Sequence, residues 1–223
     1  MPHHTLTPEE VFTFITNDFE SAWNCLAAQE DHGLGRGNFM FALQATILLE
    51  WASRLCGSDA SARRDFAEAL RAIRPRYFLD LPEMADLPGK TRPPRDFALL
   101  DVDRPETQLL TFIFDLVRNG QSHRYQQIAA SLLGDSVLAI SLGGAHFDHS
   151  LDRLKTGGGA QEHLTLQVSD KGVGTLKVDS GMLYWDIKTA IENAHLLSRG
   201  LNFPDTFTRS YEVTLDELKA ALG

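Results

Sequence analysis

The sequence predicts a mainly helical α+β protein in which a small β-rich segment elaborates a helical bundle. Apolar residues recur at helical spacing along most of residues 1–135, which indicates amphipathic helices packed on a common core. Between residues 136 and 180 the apolar pattern shortens towards a period of two, which is typical of strands. Helical spacing returns over residues 181–223. No repeat or linker-like segment divides the 223 residues, so we expect a single domain.

Three helices are predicted in the first third of the chain. Thr7 is a typical N-cap, because Pro8 follows it and acidic residues occupy the next turn. A second helix is expected from Phe39 to Leu55, since Gly57 provides the usual stop just beyond it. The third helix is expected from Ser61 to Ile73.

Helical periodicity is lost after the third helix and returns before residue 136. The proline-rich stretch 75–105 has few periodic positions, so we expect a long irregular excursion over the surface. The stretch from Glu106 to Leu133 has the strongest helical pattern, with Gly120 between its two halves.

A small antiparallel sheet or hairpin is predicted between that helical stretch and the C-terminal helix. Its expected strands are Val137–Leu142, His163–Ser169 and Val173–Asp179. The three residues after Ser169, Asp-Lys-Gly, suit a tight turn between the last two strands.

The C-terminal part is again helical by its apolar spacing. A long helix is expected to begin at Met182 or Asp186 and to end at Arg199, where Gly200 stops it. A short helix from Leu215 to Leu222 is expected near the end of the sequence.

The composition argues against broad nucleic-acid binding through a basic surface, because the net charge is −9. A local basic cleft is still compatible with that charge. Cys25 and Cys56 have no metal-binding spacing, so we expect two free, buried thiols in a reducing cytoplasm. The first residues do not resemble a signal peptide, and the apolar run Phe39–Leu49 is too short to span a bilayer. We therefore expect a cytoplasmic protein without membrane contact.

The candidate functional site is the hexapeptide RNGQSH. Arg118 offers a planar fork of donors to a phosphate, and His123 can exchange a proton near neutral pH. In an unbroken helix these two residues lie about 140° apart around the axis, so they do not share a face. They can meet if the helix breaks at Gly120, or if two chains face each other. In both cases the free N–H groups of a helix start between Gly120 and Ser122 would favour an anion.

The segment from Phe114 to His123 resembles the signature of HEPN domains. These helical-bundle proteins carry an Arg followed, after four to six residues, by a His, frequently with Asn, Asp or His directly after the Arg. Asn119 holds that position here. The order of helices in residues 1–135 is also similar, whereas the β-rich segment departs from a minimal HEPN bundle.

The resemblance implies a metal-independent endoribonuclease that needs no cofactor. Arg118 and His123 would be catalytic, Asn119 would support them, and Gly120 and Ser122 would help to bind the phosphate. RNA would be cut by attack of its 2′-hydroxyl, which leaves a 2′,3′-cyclic phosphate. Such proteins are typically homodimers that bring two motifs into one cleft, here across Arg118–His123. They occur in toxin–antitoxin and other defence systems, which implies an antitoxin or another protein partner.

Two further groups of side chains have a functional and a structural interpretation. Basic residues just before and within the proline-rich stretch would contact the RNA backbone, or would be solvated charges near a helix end. They are Arg71, Arg74, Arg76, Arg92 and Arg95. A set of polar residues could be a metal site, but we expect none, because no Cys or second acid supports it. It comprises His146, Asp148, His149 and the later His163.

Three functions are therefore open at this point. The first is a HEPN-type ribonuclease. The second is a catalytically inactive HEPN-like module that binds RNA, a nucleotide or a protein, which the acidic net charge favours. The third is an unrelated helical protein in which the motif is a coincidence.

Overall fold

The computed structural model describes residues 6–27, 38–57, 59–79, 109–114, 116–118, 129–131, 137–143, 163–171, 173–201 and 219. Over these residues the chain is predominantly helical and has one four-stranded mixed sheet. None of the helices in this part of the chain is long and apolar enough to cross a membrane.

The described helices follow the order that the sequence predicts. They are α1 (Pro8–Ala27), α2 (Asn38–Cys56), α3 (Ala60–Ile73), α4 (Leu109–Phe114) and α5 (Ser180–Asn193). A 3₁₀ turn follows α3 at Pro75–Phe78 and another follows α5 at Leu196–Arg199. Residues 116–118 form a π-helical turn beyond α4.

The ends of the first three helices are set by local hydrogen bonds. The backbone N–H of Glu10 donates to Thr7 Oγ1, and the N–H of Thr7 donates to the Glu10 carboxylate, which is a capping box. Gly57 adopts a φ of +49°, a conformation that ends α2 at little cost because glycine has no Cβ. Asp59 caps α3 by accepting from the N–H groups of Ser61 and Ala62. The predicted cap at Thr7 and stop at Gly57 are confirmed.

The sheet has the order β1-β2-β4-β3. Its strands are β1 (Ala129–Ser131), β2 (Val137–Gly143), β3 (Thr165–Val168) and β4 (Val173–Asp179). The three predicted strands are confirmed, but the expectation of an antiparallel sheet is wrong for the central pair. β2 and β4 run parallel, with Val137 opposite Val173. The long connection through β3 allows the chain to return to the starting end of β2, as a parallel pair requires.

The helix predicted from Glu106 to Leu133 is wrong at its C-terminal end. Ala129–Ser131 forms β1, which pairs antiparallel with β2 and brings Ala129 opposite Ala139. This short apolar run satisfies either a helical or an extended pattern, and the pairing with β2 decides between them.

The proline-rich stretch begins inside the protein and not on its surface. Pro75–Phe78 forms a 3₁₀ turn in which the Tyr77 side chain is completely buried. The N–H of Leu109 donates to the carbonyl of Leu79 at 3.0 Å, so the start of α4 lies beside the end of this turn. The rest of the predicted excursion lies outside the described residues.

Helix α5 packs against α2, α3 and the 3₁₀ turn that follows it, and it continues directly from β4. Its Tyr184 ring stacks on Phe19 of α1, with centroids 3.6 Å apart, and Phe19 meets Phe41 of α2 edge to face. Trp23 completes this buried aromatic group. The helices and the sheet therefore share a single apolar core around α5.

The end of the C-terminal helix and the burial of Cys25 differ from what the sequence predicts. The C-terminal helix ends at Asn193 and not at Arg199, because His195 takes a φ of +52° and the chain continues as a 3₁₀ turn. Cys25 is exposed, since it lies on the outer side of α1, whereas Cys56 is buried as expected. The proposed helix Leu215–Leu222 lies outside the described residues except for Lys219.

Candidate functional site

Arg118 lies where the buried helix of the motif reaches the surface. Ile113, Phe114 and Val117, the apolar residues before it, are buried in the core. The Arg118 side chain itself is 35% exposed. The core therefore fixes the backbone that leads into the motif, while the guanidinium lies at the protein surface.

Glu50 of α2 lies between two guanidinium groups. Its Oε2 atom is 3.4 Å from Nε of Arg118, and its Oε1 atom accepts from Nε and Nη2 of Arg54, at 3.0 and 2.8 Å. We call Arg54, Glu50 and Arg118 the α2 triad. Glu50 and Arg54 are visible in the sequence as a pair one helical turn apart. Their link to Arg118, which is distant in sequence, leaves no signal in the local pattern.

The remaining motif residues cannot be placed against this triad. Asn119, Gly120, Ser122 and His123 lie outside the described residues. The distance between Arg118 and His123, and their meeting across two chains, therefore stay predictions.

The predicted RNA-contacting arginines on the described part of the chain have different surroundings. Arg71 is exposed and its guanidinium carbon lies 4.4 Å from the centroid of the Phe78 ring. Nη1 of Arg76 donates to the carbonyl of Leu164 at 3.4 Å. Arg74 is turned towards α5, where it binds a buried carboxylate. Arg92 and Arg95 lie outside the described residues.

A buried polar network joins the end of α3 to α5 and the sheet. Nε and Nη2 of Arg74 donate to the two carboxylate oxygens of Asp186, at 2.7 and 3.1 Å. The Tyr77 hydroxyl lies 3.0 Å from Asp186 Oδ2 and 2.7 Å from His163 Nε2. The backbone N–H of Asp179 donates to His163 Nδ1 at 3.0 Å. We call Arg74, Tyr77, His163 and Asp186 the buried network.

The backbone contact of His163 defines the direction of these hydrogen bonds. Because the Asp179 N–H can only donate, Nδ1 of His163 accepts and Nε2 carries the proton of the neutral ring. Nε2–H then donates to the Tyr77 oxygen, and the Tyr77 hydroxyl donates to Asp186. Each polar side chain of the network thus has a partner.

Burial is the largest cause of the pKa shifts of His163, Tyr77 and Asp186. It lowers the pKa of His163 to about 3, and the charge of Arg74 acts in the same direction. Burial also raises the pKa of Tyr77 well above its ordinary value. It raises the pKa of Asp186, although hydrogen bonds from Arg74 and Tyr77 act against that rise. Tyr77 and His163 are inaccessible to a substrate, so the network ties structural elements together and does not form a reaction site.

The described residues contain no group of three or more His, Cys, Asp or Glu side chains that could hold a metal ion. Of the histidines considered as ligands, His163 has both ring nitrogens engaged within the buried network. His146, Asp148 and His149 lie outside the described residues.

Comparison with known proteins gives no relative for this chain. No protein-family model, no curated protein and no solved structure matches it. The likeness to HEPN domains therefore rests on the RNGQSH motif and on the order of the helices.

Replacing Asp186 by Ala should strongly destabilise the protein. The change leaves the Arg74 guanidinium partly buried without its carboxylate, which costs about 3–5 kcal/mol in comparable pairs. Asp65→Ala is the matched control, because Asp65 pairs with Arg199 across two elements at the surface. Its expected cost is about 0–1 kcal/mol. Urea denaturation measures the free energy of unfolding of both variants. Equal losses would show that the buried pair stabilises the protein no more than the surface pair does.

Acidification should destabilise the protein through His163. Its pKa is about 3 in the folded protein and 6.5 in the unfolded chain, so below pH 6.5 the unfolded state binds the proton first. Stability from the neutral ring is complete above pH 6.5 and falls as the pH drops towards 3. Between pH 7 and pH 5 the wild type should lose about 2 kcal/mol more than His163→Gln, whose amide keeps one donor and one acceptor. If urea denaturation showed the same loss of unfolding free energy in both proteins over this pH range, the low pKa of His163 would be refuted.

Proposed function

We propose that this protein is a metal-independent endoribonuclease of HEPN type that acts through RNGQSH. The observation that carries the proposal is the position of Arg118. Its guanidinium lies at the surface end of a core helix, and the α2 triad holds it beside a second guanidinium. Such an arrangement suits a cation that must meet a phosphate in a fixed orientation.

The proposed reaction is transesterification within the RNA. The 2′-hydroxyl oxygen forms a bond to the adjacent phosphorus, and the bond from phosphorus to the 5′-oxygen breaks. The 2′-hydroxyl proton leaves to a base, and the departing 5′-oxygen gains a proton. His123 performs one of these transfers, and Arg118 stabilises the added charge on the phosphate oxygens. Asn119 would orient the imidazole, while Gly120 and Ser122 would offer N–H groups to the phosphate.

We also propose an assembly and a cellular setting for the protein. The described helices are compatible in order with a HEPN-like bundle, and α2 reaches the motif helix through the contact of Glu50 with Arg118. We propose a homodimer that joins two motifs in one cleft, in a cytoplasmic toxin–antitoxin or defence system with an antitoxin or similar partner. Arg71, Arg76, Arg92 and Arg95 would contact the RNA backbone. Arg74 serves the buried network instead.

A binding module without catalysis is the second candidate. The net charge of −9 favours it, because an acidic chain attracts a polyanion only through a local basic site. Such a module would use the same Arg118 surface and would not need His123 for proton transfer.

Cleavage should depend on both ends of the motif. In EDTA, His123→Ala should cut a mixed RNA pool about 10²–10⁴-fold more slowly than wild type, the usual contribution of a general acid or base. Arg118→Ala should lose about 10²–10³-fold, as expected for a group that stabilises the transition-state charge. The rate of RNA loss is followed by gel, and circular dichroism checks folding.

Two variants serve as matched controls. Arg64→Ala removes an arginine from the exposed face of α3. His195→Asn removes a histidine at a position with a φ of +52°, which asparagine adopts readily. Both controls should cut at the wild-type rate. Equal cleavage by wild type and His123→Ala would favour the binding module over the nuclease.

A further inference from the structure

We infer that β3 pairs with β3 of a second copy of this chain, so that two four-stranded sheets join edge to edge. β3 lies at the end of the strand order, and among the described residues only β4 pairs with it. Leu166 and Val168 of β3 are 58% and 68% exposed. This contact is independent of the proposed ribonuclease activity.

The open edge of β3 offers backbone hydrogen-bonding groups to another strand. The N–H of Ser169 donates to the carbonyl of Val173, at the start of β4, at 2.9 Å. In an antiparallel pair the backbone groups of successive residues alternate in direction, so those of Gln167 also point towards β4. The backbone groups of Leu166 and Val168 then point away from β4. A second strand can therefore pair with these two residues without disturbing the existing pair.

Leu166 and Val168 also expose apolar side chains on the core face of the sheet. Leu166 lies opposite Leu176, which in turn lies opposite Ile140. Leu176 and Ile140 are buried, and cross-strand partners project from the same face, so Leu166 extends an apolar row of the core to the exposed edge. The strand, Thr-Leu-Gln-Val, has none of the charges or prolines that usually protect such an edge from pairing.

The edge is self-complementary about a two-fold axis at Gln167. When the outward backbone groups of two antiparallel β3 strands pair, Leu166 of each copy lies opposite the partner's Val168. The apolar side chains then meet on one face of the joined sheet, twice by symmetry. On the other face Gln167 lies opposite the partner's Gln167, and each amide can donate to the other.

Opposite charges meet at both ends of this pairing, which favours a second copy as the occupant. In the same register the partner's Asp170 lies opposite Leu164, whose carbonyl accepts from Nη1 of Arg76. Asp170 and Arg76 are exposed, and within the described part of the chain neither has an ion-pair partner. The partner's Lys171 falls opposite His163, which is buried. Two pairs between Asp170 and Arg76 would therefore flank the apolar contact.

The contact is small, so we expect a weak dimer. β3 has four residues, which corresponds to about 13 Å of strand. An interface of this size is typical of transient complexes, and we expect a dissociation constant in the micromolar range. Arg76 is also a proposed RNA contact, so RNA and the second copy would compete for it.

A disulfide at the two-fold axis tests the register directly. Gln167→Cys is made in a Cys25→Ser background, which removes the exposed native thiol. It should form a covalent dimer with oxidised glutathione, because facing residues of a non-hydrogen-bonded pair lie about 4.5 Å apart at Cα. Ser169→Cys is the matched control, since its symmetry mate lies about 14 Å away along the strand. If Gln167→Cys crosslinked no faster than the control on a denaturing gel, the pairing would be overturned.

Sedimentation velocity tests the contact without a crosslink. Val168→Pro removes an outward N–H and leaves the bonds to β4 intact, so self-association should weaken about ten-fold or more, with circular dichroism unchanged. Leu166→Lys should weaken it similarly, whereas Phe14→Lys, at an equally exposed apolar residue of α1, should match wild type. A dimer through Arg118–His123 would survive these changes, so the expected result is the loss of one association step. Wild-type association in both β3 variants would overturn the contact, and so would a wild type that does not associate.

Charge reversal tests the choice of a second copy as the occupant. Asp170→Arg and Arg76→Asp should each weaken the dimer about two- to ten-fold, because each change affects two exposed ion pairs. The double variant carries the opposite charges in exchanged positions and should recover wild-type association. A double variant that associates more weakly than both single variants would overturn the charge contact and with it the register.

Discussion

The buried ion pair between Arg74 and Asp186 connects the two halves of the described structure. Arg74 follows α3, and Asp186 lies on α5, more than a hundred residues later. Through Tyr77 and His163 the same carboxylate is linked to the turn after α3 and to the beginning of the β3–β4 hairpin. An apolar contact could close the same gap, but a bidentate pair with two further hydrogen bonds allows only one relative placement.

Helix α5 transmits this placement to the candidate site. It packs on α2, whose inner face belongs to the core and whose outer face carries Glu50 and Arg54. Glu50 then contacts Arg118 at the end of the motif helix. The structural role of the buried network and the proposed chemical role of the α2 triad are thus separate in space. The buried network is closed to solvent and keeps its histidine neutral, whereas the α2 triad lies at the protein surface.

The parts of the fold that follow from local chemistry could be predicted from the sequence. Thr7, Gly57 and Gly200 mark helix or turn ends because a cap or a positive φ acts over a few residues. Long-range pairing could not be predicted. Ala129–Ser131 became a strand only because β2 is available beside it, and the parallel pairing of β2 with β4 depends on the path of a long connection. Local periodicity contains neither fact.

The candidate site was predictable only in part, for a similar reason. The neighbours of Arg118 in the sequence mark it as a candidate, but its partner Glu50 belongs to a helix 68 residues earlier. The basic residues near Arg74 in the sequence suggest a surface charge, whereas the carboxylate that binds Arg74 lies 112 residues later, at Asp186. Nothing in the pattern around Leu166 and Val168 indicated that these two residues of β3 face solvent.

The most direct measurement is an analysis of the ends produced from an RNA that carries one 2′-deoxynucleotide at a mapped cleavage position. Attack by the 2′-hydroxyl predicts 2′,3′-cyclic phosphate and 5′-hydroxyl ends at every other cut, and no cut after the deoxynucleotide, because that position lacks the attacking hydroxyl. Cleavage after the deoxynucleotide, or products with 3′-hydroxyl and 5′-phosphate ends, would contradict it.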